Sequence, residues 1–385
     1  FLMKYQFPVF LMEKLSFAIM HVMLLAIFSL GACSPQKSDT EGYDLWLDYM
    51  PIQQTVLQKE YAKLCPSVSL PESKYKTVIF TELTRAFEGL LDISPKLTDK
   101  NRAGILLSID DSLDELGSEG YIIQGDSTNV FIRAAGDAGL LYAAFRLIRE
   151  IQVGNPLGSL NIKEVPAYDL RMLNHWDDLD GHIERGYAGA SLWKWDELPG
   201  KLDSRYEDYA RANASIGINA VVLNNVNADP RILRHDYLEK VAALANVFRG
   251  YNIRVYLTAN FAAPMKPSHT PDMMKAWGGV GNLETADPRD PRVQAWWKAK
   301  ADEIYSLIPD FGGFLVKANS EGMPGPQDYG CTHADGANLL ARALKPHGGI
   351  VMWRTFVYNP EIDKDRMKRS YLEFLPLDGQ FDDNV

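Results

Sequence analysis

Residues 313–355, GFLVKANSEGMPGPQDYGCTHADGANLLARALKPHGGIVMWRT, decide the fold. They open on an apolar strand, Gly313–Ala318, which breaks in a turn crowded with glycine and proline. A helical pattern follows over Ala337–Leu344, and a second strand, Ile350–Thr355, closes the unit. Strand, helix and strand in that order make parallel strands covered by a helix, because only a crossover returns the chain in the same direction.

The same unit repeats upstream. Strands are expected at Leu170–Trp176, Ala220–Asn225 and Arg254–Asn260, with helices at Arg205–Ser215, Tyr237–Arg249 and Arg292–Leu307 between them. A fifth helix, Asp363–Phe374, follows the fifth strand. Both a (β/α)8 barrel and a doubly wound sheet are built this way. The second wants a glycine-rich phosphate loop after its first strand, and none is present. The expectation is therefore an α/β protein with a TIM barrel over residues 166–385. Five strands are used by about Phe374 where a closed barrel of this kind needs eight, so the barrel counts as truncated. Leu170, Met172, Val351 and Met352 are the apolar residues expected on the inner faces of its first and last strands.

Residues 43–165 read as a small α/β domain. Its expected strands are Tyr43–Leu47, Lys76–Phe80, Ala103–Ile109, Gly120–Gln124 and Asn129–Ala134. Its helix is Gly136–Ile151, where Leu140, Leu141, Ala144, Leu147, Ile148 and Ile151 recur at helical spacing.

Further upstream, MEKLSFAIMHVMLLAIFSLGAC (12–33) carries Lys14 before a mostly apolar run too short to span a bilayer comfortably. It ends in Leu30-Gly31-Ala32-Cys33, which resembles a bacterial lipobox. This implies a signal peptide over 1–33, with 1–11 as upstream read-through, lipidation of Cys33 and a polar tether over 34–42. The expected product is an exported, membrane-anchored lipoprotein in the periplasm or at the cell surface. An uncleaved N-terminal membrane helix is the competing reading.

The net charge of −10, without a long basic run, argues against a nucleic-acid partner. The three cysteines, Cys33, Cys65 and Cys331, form no CxxC pair, so a zinc knuckle or thiol redox motif is not expected. Asp177, Asp178 and Asp180 do not match a calcium-loop spacing and read as turn residues. Neither a metal nor a cofactor is expected.

A barrel enzyme works at the C-terminal ends of its strands. Those ends read Asn174-His175-Trp176-Asp177, Asn224-Asn225-Val226-Asn227, Asn260-Phe261, Lys317-Ala318-Asn319-Ser320-Glu321 and Trp353-Arg354. Glu321 sits in a glycine- and proline-bounded turn, where a carboxylic acid with a raised pKa can protonate a glycosidic oxygen. A solvated loop glutamate would fit the pattern as well. Lys317 and Arg354, at the ends of neighbouring strands, suit an anionic substrate, since arginine pairs with carboxylate as a bidentate fork. A structural ion pair is the plainer alternative. Trp176 suits either a sugar ring or a cap on the barrel core.

Taken together, NHWDDLDGHIERGYAG (174–189), SIGINAVVLNNVNA (215–228), LETADPRDPRVQAWW (283–297), FLVKANSEGMPGP (314–326) and LDGQFDDNV (377–385) resemble glycoside hydrolase family 67, the α-glucuronidases. The small domain joins the resemblance through EGYIIQGDSTNVFIRAAGDAGLLYAAFRLIREIQ (119–152). The resemblance implies an inverting hydrolase that removes 4-O-methyl-glucuronic acid from α-1,2 linkages in xylo-oligosaccharides. By its motifs, Glu321 is the general acid and Lys317 lines the pocket. Trp176 lies beside the uronic acid, Val226 lies against the substrate near the 4-O-methyl group, and Arg354 meets the carboxylate. The general base is expected beyond Val385, and Asp378, Asp382 and Asp383 are not assigned to that role. Asp178 and Met323 depart from the asparagine and glutamine expected there. The implied partner is a glucuronic-acid-substituted xylo-oligosaccharide, and a homodimer is one assembly to expect of the full-length protein. Two other readings compete: a catalytically inactive fragment or surface lipoprotein that binds acidic xylo-oligosaccharides, and a hexosaminidase-type enzyme. The last would need an adjacent Asp-Glu pair after the fourth strand, which Asn319-Ser320-Glu321 does not supply.

Overall fold

The computed structural model describes residues 42–53, 55–98, 104–267, 278–319, 324–355 and 364–385. Cys33, with the signal segment and most of the tether, and Glu321 lie outside the described residues. The chain forms two compact units, 1–48 and 49–385. In the first, the expected strand Tyr43–Leu47 is instead a 3-10 turn over Leu45–Leu47. Leu45 has φ +53, a left-handed backbone that a strand cannot contain.

The second unit carries two sheets. The first has six strands: β1 (Ser67–Ser69), β2 (Lys96–Leu97), β3 (Gly104–Ile109), β4 (Tyr121–Gly125), β5 (Asn129–Ala134) and β6 (Asn161–Glu164). Their order is β2-β1-β3-β5-β4-β6, with β4 antiparallel to both neighbours. Helices α1 (Thr55–Leu64), α2 (Lys76–Leu91) and α3 (Asp137–Gln152) accompany it. Lys76–Phe80, expected as a strand, is the start of α2. Ile79, Leu83, Ala86, Phe87 and Leu90 are buried along one helical face, a period that five residues are too few to display. Helix α3 lies within one residue of its expected span at each end and buries Leu140, Leu141, Ala144, Leu147, Ile148 and Ile151.

The second sheet is wholly parallel: β7 (Met172–Asn174), β8 (Ala220–Val222), β9 (Arg254–Asn260), β10 (Gly313–Lys317) and β11 (Ile350–Trp353). Each strand lies beside its sequence neighbour, in the order β11-β10-β9-β8-β7. That order is the one a barrel uses, whereas a doubly wound sheet reverses direction at a switch point. Helices α4 (Arg205–Ser215), α5 (His235–Arg249), α6 (Pro291–Leu307) and α7 (His333–Leu344) alternate with the strands, and α8 (Arg366–Phe374) follows β11. The small α/β layer followed by a partial barrel is the architecture the sequence predicts.

Strand alternation separates two faces. Met172, Ala220, Val222, Tyr256, Leu315, Ile350 and Met352 gather in one cluster on the inner face. Residues of opposite parity face the helices: Phe314 meets the Trp297 ring of α6 at 5.8 Å, and Trp353 meets His333 of α7 at 6.1 Å. Val351 shares the parity of Trp353 and is buried, so it belongs to the helix side and not to the inner face expected of it. Beneath the barrel, Arg211 of α4 forms a bidentate pair with Glu82 of α2, at 2.7 and 2.9 Å, with both side chains buried. Asn219 and Asn252 each donate to Glu119, at 3.1 and 2.9 Å.

Candidate active site

At the C-terminal end of the parallel sheet, inner-face parity carries on past the strands. Lys317 and Arg354 extend the row Leu315 and Met352, so both project from adjacent strands on the side of the inner cluster. Lys317 is only 3% exposed. Arg354 is half-buried, and its backbone N–H donates to Val316 O at 3.4 Å.

The loop after β8 is built from asparagines, whose short amides can replace strand hydrogen bonds. Asn224 prolongs the β8–β9 ladder with its side chain, accepting from Thr258 N at 2.8 Å and donating to Thr258 O at 3.0 Å. Asn225 Nδ2 donates to Trp176 O at 3.1 Å and to Glu184 Oε2 at 2.9 Å, while its Oδ1 accepts from Asn227 N at 2.8 Å. Asn227 Oδ1 lies 3.5 Å from Lys317 Nζ. Val226 is buried, and its carbonyl accepts from Arg354 Nη1 at 3.2 Å. Val226, Lys317 and Arg354 thus meet at one loop, and Trp176 is tied to that loop through its carbonyl. The Trp176 residue itself is 42% exposed, which leaves ring surface accessible for stacking.

Behind Trp176 the acidic run is spent on local structure. Asp177 is buried and accepts from Ser191 Oγ and Leu192 N while pairing with His175 Nδ1 at 3.1 Å. His175 Nε2 lies 2.7 Å from the Tyr209 hydroxyl. Asp178 accepts from Arg185 N at 2.9 Å, and burial pushes its carboxyl above the usual carboxylate range. Asp180 accepts from His182 N at 3.1 Å. Asp180 has the turn role expected of all three, whereas Asp177 and Asp178 accept from residues seven to fifteen positions along the chain.

Both flanks of 320–323 are pinned. Asn319 adopts φ +50 and donates from Nδ2 to Gln327 Oε1 at 3.2 Å. Gly325 packs so closely on Asn319 that a Cβ would fall 2.5 Å from the asparagine Cβ. Its N–H is capped by Asp328 at 2.8 Å. Asn260, in register with Lys317, caps Ala262 N through Oδ1, while its buried Nδ2 has no partner among the described residues. Asp382 and Asp383 pair with Arg342 and Lys345. Asn384 O accepts from Val351 N, which places this segment at the opposite end of β11 from Arg354 and away from the mouth.

Glu184, Asn225 and Asn227 are among the polar residues of this site that the sequence motifs did not assign. The asparagine-rich NNVNA block was the available signal. Nothing in the sequence tied Glu184, about 40 residues upstream, to it.

Among solved structures, Streptomyces plicatus N-acetyl-β-hexosaminidase superposes with a TM-score of 0.51 at 14% identity, over 75% of this chain and 61% of that one. That likeness concerns the fold alone. Curated relatives include a probable α-glucuronidase A of Aspergillus clavatus, 36% identical over 363 residues, covering 89% of this chain and 42% of the relative. α-Glucuronidase A of Emericella nidulans is 37% identical over 376 residues, covering 90% and 42%. The chain therefore spans about two fifths of the length of these relatives. The glycosyl hydrolase family 67 N-terminus matches residues 45–147, and the middle domain of the same family matches residues 150–385. With most of its length matched by those two domains in their order, this chain belongs to glycosyl hydrolase family 67.

Proposed function

We propose that the protein carrying this chain is an inverting α-glucuronidase that releases 4-O-methyl-glucuronic acid from α-1,2 linkages in xylo-oligosaccharides, with Glu321 as general acid. The observation that carries the reading is the meeting of Lys317 and Arg354 at the 226–227 loop, on the face where a barrel enzyme acts. Two cations beside one loop suit a uronate carboxylate, and Trp176 offers an accessible ring for a pyranose face. The relatives named α-glucuronidase give the substrate class its name.

In this reading Arg354 and Lys317 bind the carboxylate, and Val226 packs against the ring near the 4-O-methyl group. Glu321, four residues after Lys317, protonates the leaving oxygen. Inversion requires a carboxylate base about 6.5–9.5 Å from the acid, with water between them. In this reading that base follows the 377–385 block. The test is release of 4-O-methyl-glucuronic acid from aldouronic acids by the protein that carries this chain. Glu321→Ala should lower kcat by about a hundred- to ten-thousand-fold. Binding of acidic xylo-oligosaccharides without turnover would favour the lipoprotein reading instead.

We also propose export and acylation at Cys33, from the Leu30–Cys33 box and the polar tether after it. Mass spectrometry should find a lipid-modified N-terminal Cys33, and an unmodified Cys33 within an uncleaved N-terminus would rule the anchor out.

A further inference from the structure

Four of the seven non-glycine residues with positive φ among the described residues, Glu184, Arg185, Ala228 and Asn319, flank the mouth. Left-handed backbone of this kind persists only where surrounding contacts hold it, and it collects at functional sites. At Glu184 those contacts are specific. The residue is 8% exposed, and its N–H donates to Trp176 O at 2.9 Å. Its Oε2 accepts from Asn225 Nδ2 at 2.9 Å and from Asn227 Nδ2 at 3.5 Å.

An ionised carboxylate only accepts, so any amide facing it must present nitrogen. An asparagine amide that turns Nδ2 toward Glu184 turns Oδ1 away from it. At Asn227 that oxygen faces Lys317 Nζ at 3.5 Å. The neighbouring carbonyl of Val226 receives Arg354 Nη1 at 3.2 Å. One buried carboxylate therefore orders the loop that meets both cations.

We propose that Glu184 is a positioning residue for uronate recognition: through Asn225 and Asn227 it fixes the loop against which Lys317 and Arg354 are set to receive a carboxylate. The inference rests on the function proposed above. Glu184 touches no reacting atom and acts through the two asparagines. Glu184→Gln would offer both a donor and an acceptor in nearly the same volume, so Asn227 could flip and turn its NH2 group toward Lys317.

The experiment titrates D-glucuronate and D-glucose into the protein that carries this chain, comparing wild type, Glu184→Gln and Asn227→Ala by calorimetry, with thermal melts to verify folding. Wild type should prefer glucuronate. Both variants should bind glucuronate at least tenfold more weakly while glucose affinity changes less than twofold. A purely structural role would move both sugars together. If Glu184→Gln does not fold, Asn227→Ala carries the test, because it leaves the bonds of Glu184 to Asn225 and the Trp176 loop in place. A wild type without preference for glucuronate would overturn the proposed function, and this inference with it. A wild type that prefers glucuronate, with folded variants that keep the preference, would overturn this inference alone.

Discussion

The seam beneath the barrel and the mouth above it both bury charge, and they treat it differently. In the seam, Arg211 and Glu82 meet as a two-bond fork, and the Tyr49 hydroxyl donates to the same carboxylate. Each charge is cancelled where it stands. At the mouth, the oxygens that the 225–227 loop offers to Lys317 and Arg354 are neutral, one from an amide and one from a backbone carbonyl. A neutral acceptor holds an N–H group in place without itself supplying a counter-charge. The seam pairs charge with charge, whereas the 225–227 loop meets its two cations with dipoles.

The comparison can be broken first at the seam. Glu82→Ala would leave Arg211 buried without its counter-ion, and should cost about 3–5 kcal/mol of stability. Denaturant unfolding would measure it, while kinetics of the protein that remains folded should be unchanged. A large kinetic effect without a stability loss would make the seam part of the site.

At the mouth, Arg354→Ala should cost about 2–5 kcal/mol of uronate binding, as when one partner of a desolvated charge pair is removed. Activity on a uronate and on a neutral glucose analogue would then converge. A preference that survives the change would sink the carboxylate role. Trp176→Ala should cost less, about 0.5–1.5 kcal/mol if the ring stacks on a sugar. It should raise KM for charged and neutral sugars alike.

The smallest effect lies behind β11. Burial holds His333 below the ordinary histidine range, and its Nδ1 accepts from Trp353 Nε1 at 3.2 Å. Its Nε2 meets Glu373 Oε2 at 3.0 Å. Although burial pushes Glu373 up, Arg369 and His333 hold it below the ordinary carboxylate range. Both shifts mean that the unfolded chain binds more protons. Their stabilisation is therefore present above about pH 6.5 and is lost as pH falls, first through the histidine and then through the carboxylate. Unfolding midpoints from pH 7 to pH 4 should fall more steeply for wild type than for His333→Gln. Equal slopes would show that this contact contributes nothing.

Much of this was legible in the chain, wherever one element carries its own signal. β9 and α4 match their expected bounds, because a seven-residue apolar strand and an eleven-residue amphipathic helix each show their period in full. Lys317 and Arg354 could be named because the same alternation that makes a strand also places its last residue at the mouth. Lys76–Phe80 misled because five residues fit both periods, and the rest of α2 decides between them. The short strands β1, β2 and β6 escaped because two to four residues carry no period at all.

The sequence by itself determined the alternation of strand and helix, the polar strand ends and the family. Each is written in local order along the chain. Only the tertiary structure decided that Val351 faces helices, that Asp382 and Asp383 belong to ion pairs away from the mouth, and that Glu184 shares two asparagines with the loop beside Lys317. Those facts depend on pairings between residues tens of positions apart. A side chain's partner across a fold is set by register and strand twist, and neither leaves a mark on the residues in between.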